Sequence, residues 1–206
     1  MTVVRLASET DFSGWRDAAR SLRAGGVAPE QAFWTVDRAG DLFGEAPPAA
    51  RADAPPFSVP RGFMELAAAV VLHRSDERFA LLYRLLWRLQ REPNLLRIAS
   101  DRDVAAARNL GKQVSRAAHK MKAFVRFRLT TDAAGEAYVA WFEPAHRVTE
   151  LTAPFFARRF STMRWSILTP DACAHWDTHG LTFTPGADAA DAPSEDSLEE
   201  FWRTYY

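Results

Sequence analysis

The 206-residue sequence sets 26 Lys and Arg against 26 Asp and Glu, so net charge selects no partner, while 48% hydrophobic residues suffice for a real core in one sizeable domain or two small ones. The single cysteine, Cys173, excludes an internal disulfide framework, a four-cysteine zinc site and an iron–sulfur cluster built from this chain alone, and it fits a reducing, cytoplasmic setting. No signal-like apolar run opens the chain, and the longest one, near residues 66–72, is far too short to span a membrane.

Val3, Val4, Arg5 and Leu6 read as a short strand. Ser8 or Thr10 is placed to cap a helix whose apolar residues Trp15, Ala18, Ala19 and Leu22 recur at helical spacing, and Gly25-Gly26 ends it. Residues 32–36 supply a second strand, so residues 1–43 are expected to form a strand–helix–strand element with a parallel crossover. Residues 44–60 carry five prolines and predict an extended connector, leaving 61–206 as the main domain.

In that domain Pro60 is placed at the first position of a helix through Phe63, Leu66, Ala67, Val70 and Val71. Ser75 is expected to cap a second helix, with Asp76 and Glu77 in its first turn and Phe79, Leu82, Tyr83, Leu85, Leu86 and Leu89 as its apolar set. Arg84, Arg88 and Arg91 lie off that face and read as a solvated flank. A third helix spans about 101–122, with Val104, Ala107, Gly111, Val114, Ala118 and Met121 as its seam.

Residues 123–129 alternate like a strand, turn at 131–135 and return at 138–142 as an antiparallel hairpin. A helix at 148–160 containing Pro154, a strand at 164–169, a short helix at 171–176 and a last strand at 181–183 follow. Ser194 starts a final helix that reaches Tyr206 without a stop signal, so the chain is expected to be cut at its C-terminal end. The predicted fold class is α+β, a small, mostly antiparallel sheet flanked by helices.

Charge is unevenly spread. Residues 102–128 hold eight Lys or Arg and one acid, whereas residues 188–200 hold six acids and no base. Arg108, Lys112, Arg116 and Lys120 fall at successive i,i+4 steps and form one stripe, with His119 beside it. Together with Arg126 and Arg128 this is a candidate phosphate-binding face, to which Trp141, Trp165 and Trp176 could add base stacking; the competing reading is a solvated helix face with core tryptophans. His175 and His179 lie four apart, a metal-binding spacing on a helix, yet the intervening Asp177 and Gly180 just beyond suggest a turn and a structural role, so no metal or cofactor is called for. His119, His146 and Asp177 are candidate acid/base groups if the chain has chemistry, and Cys173 reads as a small packed thiol. GxxxxGK[ST], GxGxxG and GxSxG motifs are absent, which disfavours Walker-type nucleotide hydrolysis.

Longer segments carry a resemblance. Residues 119–128 (HKMKAFVRFR), Trp141-Phe142-Glu143-Pro144 with His146, and Ala153-Pro154-Phe155-Phe156 leading to Arg159-Phe160 come first. Residues 163–170 (MRWSILTP), Trp176-Asp177, Pro185-Gly186 and residues 202–206 (WRTYY) continue them, with residues 57–89 as a matching helical region. Together these resemble a bacterial family associated with DNA metabolism or DNA repair, of unknown activity, whose members occur beside a radical-SAM protein or fused ahead of an X-type (UdgX) uracil-DNA glycosylase. The resemblance implies a DNA-repair context and a further helical segment past the Thr-Tyr-Tyr end. It supplies no active site to transfer.

The expected function is therefore a DNA-repair accessory domain that binds DNA through Arg108, Lys112, Arg116, His119, Lys120, Arg126, Arg128, Arg164 and Trp165. Two alternatives stay open. One is an adaptor that docks a radical-SAM enzyme or a uracil-DNA glycosylase through the acidic tail and exposed aromatics. The other is an enzyme acting on a DNA lesion.

Overall fold

The opening apolar alternation closes into a parallel strand pair. In the computed structural model, which describes residues 1–36, 57–132 and 135–189, β1 (Thr2–Leu6) runs parallel to β2 (Ala32–Val36), with Val4 opposite Trp34. The crossover between them is α1 (Phe12–Ala24), which buries Trp15, Ala18, Ala19 and Leu22. Its cap is Asp11 rather than Ser8 or Thr10: the Asp11 carboxylate accepts from the Gly14 amide at 2.8 Å, and an ionised acceptor at a helix N-terminus outcompetes a hydroxyl. Gly26, at φ 72°, turns the chain out of the helix.

Two compact units divide the chain, Met1–Val114 and Ser115–Tyr206. In the first, α2 (Arg61–Val71) and α3 (Arg78–Leu89) pack with α1 around Trp15, Phe63, Leu82 and Tyr83, all fully buried. Trp34 meets Tyr83 edge-on at 5.7 Å, the arrangement aromatic quadrupoles favour. The Tyr83 hydroxyl donates to the Val27 carbonyl at 2.6 Å, and burial raises its pKa above the ordinary value. Pro60 sits at the cap of α2, one residue ahead of its predicted place. Helix α3 also begins later than expected, with Glu77 rather than Ser75 at its cap. Ser75 instead offers its carbonyl to Arg78 Nη1 at 2.9 Å, and Arg78 is drawn into the core.

The next helix, α4 (Arg102–Phe124), gives its first half to this unit, burying Val104, Ala107 and Val114. A Cβ at Gly111 would lie 3.2 Å from Leu66 Cδ1, so glycine there allows α2 and α4 to approach closely.

In the second unit, the rest of α4 is followed by β3 (Arg128–Asp132), β4 (Gly135–Trp141), α5 (Thr149–Arg159), β5 (Trp165–Leu168), β6 (Ala172–Trp176) and β7 (Leu181–Pro185). The strands form one open sheet in the order β3-β4-β5-β6-β7, antiparallel except for the parallel β4–β5 pair that α5 crosses over to make. The fold is α+β with a mostly antiparallel sheet. Helix α4 extends to Phe124 and β3 begins only at Arg128, so residues 123–127 are not strand as expected. The buried residues Met121 and Val125 keep the helical spacing, and the Val125 amide still bonds the Met121 carbonyl at 3.1 Å.

The predicted helix at 171–176 is strand β6. Thr169 folds the chain back, its hydroxyl donating to the Ala172 carbonyl at 2.7 Å, and Trp165, Ser166 and Ile167 then pair with Trp176, His175 and Ala174. Phe127 and Phe156 pack on Trp165, with ring centroids 5.8 and 6.2 Å from it, so α5 covers one face of the sheet. Thr152 reaches Met121 Sδ at 3.0 Å, tying α5 to the end of α4.

Residues 44–56 of the connector and the helix expected from Ser194 lie outside the described residues. Among the described residues no helix is long and apolar enough to cross a membrane.

Candidate functional site

Helix α4 sets the predicted cations on one line because 3.6 residues per turn return i and i+4 to the same side. Arg108, Lys112, Arg116 and Lys120 lie along it with His119 beside them, and all five are exposed. Arg108, in the first unit, spends one donor on the Leu96 carbonyl at 2.6 Å. In the second unit Arg116, His119 and Lys120, with Ser115, line an open groove of about 370 Å³. Lys112, Arg116, His119 and Lys120 have no hydrogen-bond or ion-pair partner among the described residues. Lys122, just beyond, lies over the Phe155 ring at 5.4 Å.

The arginines of α3 are quite different. Arg84 pairs with Asp103 at 3.1 Å, and Arg88 spans Asp101 at 2.7 Å, Asp103 at 3.1 Å and Glu92 at 3.2 Å. These hydrogen bonds raise the pKa of Arg88 and hold the Asp101 carboxyl below its ordinary range. Of the flank predicted as solvated, Arg91 is exposed, whereas Arg84 and Arg88 join a charge network that holds the start of α4, since Asp101 also accepts from the Asp103 and Val104 amides.

The remaining sequence-predicted site residues are elsewhere. Arg126 turns back on the end of α4, donating to the carbonyls of Ala123 at 2.8 Å and Val125 at 3.0 Å. Arg164 binds the carbonyls of Gly135 at 3.1 Å and Glu136 at 3.0 Å and so clamps the start of β4. Arg128 lies in register with Val139, on the sheet face opposite that of its neighbour Phe127, which packs under α5. Trp165 is 2% exposed beneath Phe156; a ring so enclosed has no face left for a nucleobase, which corrects its assignment as a base-contacting residue.

The two histidines of the metal-like spacing are not on a helix. His175 is in β6, whereas His179 sits in the β6–β7 turn, where Asp177 accepts from the amides of His179 at 2.8 Å and Gly180 at 2.7 Å. Those two amide bonds hold the Asp177 carboxyl below its ordinary range and give this former acid/base candidate a turn-forming role. Among the described residues no group of three His, Cys, Asp or Glu is placed to hold a metal. Cys173 is buried, as a packed thiol should be.

His175 instead bonds two hydroxyls that sequence reasoning missed. Its Nδ1 lies 2.8 Å from Ser166 Oγ and its Nε2 2.9 Å from Thr184 Oγ1, while burial lowers its pKa below the ordinary 6.5. The available signal was strand alternation: with 172–176 read as strand rather than helix, Ser166 and His175 share one sheet face with Arg128.

A family model described as a domain of unknown function (DUF4130) matches residues 76–206, from just before α3 onward. No curated protein matches the chain, and no solved structure does.

Proposed function

The chain belongs to the DUF4130 family, a family of unknown function, and from that premise we propose that it is an accessory domain of a DNA-repair system that binds DNA through Arg116, His119 and Lys120 on α4. One observation carries this reading: the cations of α4 from Lys112 to Lys120 lack carboxylate partners among the described residues, whereas Arg84 and Arg88 of α3 are paired. Like charges at successive i,i+4 steps repel one another, and phosphates along a polyanion relieve that repulsion while releasing counterions. The repair context rests on the family resemblance carried by residues 119–128 and 163–170. Titration of a labelled short DNA, single- or double-stranded, at low salt tests the reading, and undetectable affinity for both forms would end it.

A protein-interaction adaptor for a radical-SAM enzyme or a uracil-DNA glycosylase is the second reading. It is favoured by the exposed apolar side chains of the second unit, Phe124 at 61% and Phe183 at 42% among them. Co-purification with such a partner that survives nuclease treatment would put it ahead of DNA binding.

A further inference from the structure

The face of the second unit's sheet away from α5 carries a row of residues that crosses all five strands. Arg128 is opposite Val139, Val139 opposite Ser166, Ser166 opposite His175, and His175 opposite Thr182. None of these is fully buried, and Arg164, two residues before Ser166, is on the same face by strand alternation. Within the row the His175 ring is held at both nitrogens, by Ser166 Oγ at 2.8 Å and Thr184 Oγ1 at 2.9 Å.

A neutral imidazole has one donor and one acceptor nitrogen. With Nε2–H donating to Thr184 Oγ1, Nδ1 accepts the Ser166 proton, which is the arrangement of a hydroxyl nucleophile with its base and a third group orienting that base. Arg128 stands two strands from Ser166, about 10 Å between backbones, a span its own side chain can largely cover, and a guanidinium there suits an anionic ester. We propose that Ser166 and His175 form a nucleophile–base pair for phosphodiester substrates, with Thr184 as the residue that positions the ring and Arg128 as the phosphate anchor. Ser166 Oγ attacks phosphorus as its proton passes to His175 Nδ1. The bond from phosphorus to the leaving alcohol's oxygen breaks, and the imidazolium returns the proton to that oxygen. Water then attacks the phosphoseryl ester with His175 again as base, releasing a phosphomonoester and restoring the Ser166 hydroxyl.

The lowered pKa of His175 agrees with this role, since the ring is then in its neutral, basic form at pH 7. Among the described side chains, strand alternation puts Arg128 on β3, Arg164 ahead of β5 and Asp177 after β6 on this face, and burial is what lowers the His175 value.

The test uses the whole chain and bis(4-nitrophenyl) phosphate. The expected result is nitrophenolate release with an acid limb below pH 6.5, and a phosphoseryl adduct on Ser166 by peptide mapping of the unsubstituted protein. Ser166→Ala is expected to lower the rate by about 100-fold or more. Thr184→Val should shift the acid limb and Thr184→Ser should restore it, which a merely structural threonine would not do. Turnover of the small probe and titration of labelled DNA are read in separate assays, so this proposal and DNA binding through α4 fail separately. Absence of both turnover and adduct, or full turnover by Ser166→Ala, would overturn it.

Discussion

Glu9 closes on Arg78, a guanidinium that is 1% exposed in the first unit. The same arginine donates to the carbonyls of Val71, Ser75 and Glu9, each at 2.9 Å, and its guanidinium lies 4.0 Å from the Phe79 ring centre. A buried cation so surrounded costs little only while every partner stays in place. Arg78→Leu leaves three carbonyls and a carboxylate without their donor, and it is expected to destabilise the chain by about 3–5 kcal/mol. Glu9→Gln keeps an acceptor and should cost about 1–2 kcal/mol. Urea midpoints measure both, and equal costs for the two changes would refute the ranking.

Asp101 makes stability depend on acid. Its carboxyl is held below the ordinary 3.8 by the Arg88 hydrogen bonds, so its contribution is complete above 3.8 and disappears as pH falls through the lower folded value. Asp101→Asn keeps an acceptor for the Val104 amide but loses the ion pair, at about 1–2 kcal/mol near pH 7. The gap between parent and variant should narrow steadily below about pH 4 in denaturant titrations; a gap independent of pH would mean that the ion pair contributes nothing.

DNA binding through α4 has a salt signature. Removing one phosphate-binding cation lowers the slope of log affinity against log salt by about one, so Arg116→Ala/Lys120→Ala should weaken binding and reduce that slope by about two. Trp165→Phe is the control. Among the described residues the buried indole nitrogen has no hydrogen-bond partner, so phenylalanine removes an unmatched donor and should leave DNA affinity unchanged. Fluorescence anisotropy at several salt concentrations reads both, and an unaltered slope in the double variant would exclude α4 as the DNA-binding element.

Thr178 sits at φ 81° in the β6–β7 turn, a region that β-branched residues rarely adopt. Thr178→Gly removes that strain while the Asp177 carboxylate continues to hold the turn, and it should raise stability by about 1 kcal/mol. A lower thermal midpoint for this variant would show that the threonine side chain contributes more than its backbone costs.

Periodicity alone located most of the fold. Trp15, Ala18, Ala19 and Leu22 are buried together as their spacing required, and 32–36 pairs with β1 in parallel as the short crossover implied. The errors came where two periods compete. Residues 121–125 carry apolar side chains compatible with a strand or a last helical turn, and the helix won because Met121 and Val125 already had a shared buried side. At 171–176 a short apolar run gave no length by which to tell helix from strand, and pairing with β5 decided it.

The candidate site was half legible. Helical spacing alone places Arg116 and Lys120 on one line. That Arg126 spends donors on its own helix end follows from where α4 stops, and that Arg164 clamps the β4 carbonyls and Ser166 faces His175 depends on chain reversals no local pattern encodes.

The parallel β4–β5 pair divides the second unit's sheet into two pieces of different origin. Hairpin β3–β4 and meander β5–β6–β7 each form from neighbouring segments, but the ladder between them needs the whole α5 crossover to be closed first. That ladder is a seam. Loop-closure entropy predicts that it is the pairing acquired last as the sheet assembles, and that a nick between Glu143 and Val148 leaves two internally paired fragments on either side of it.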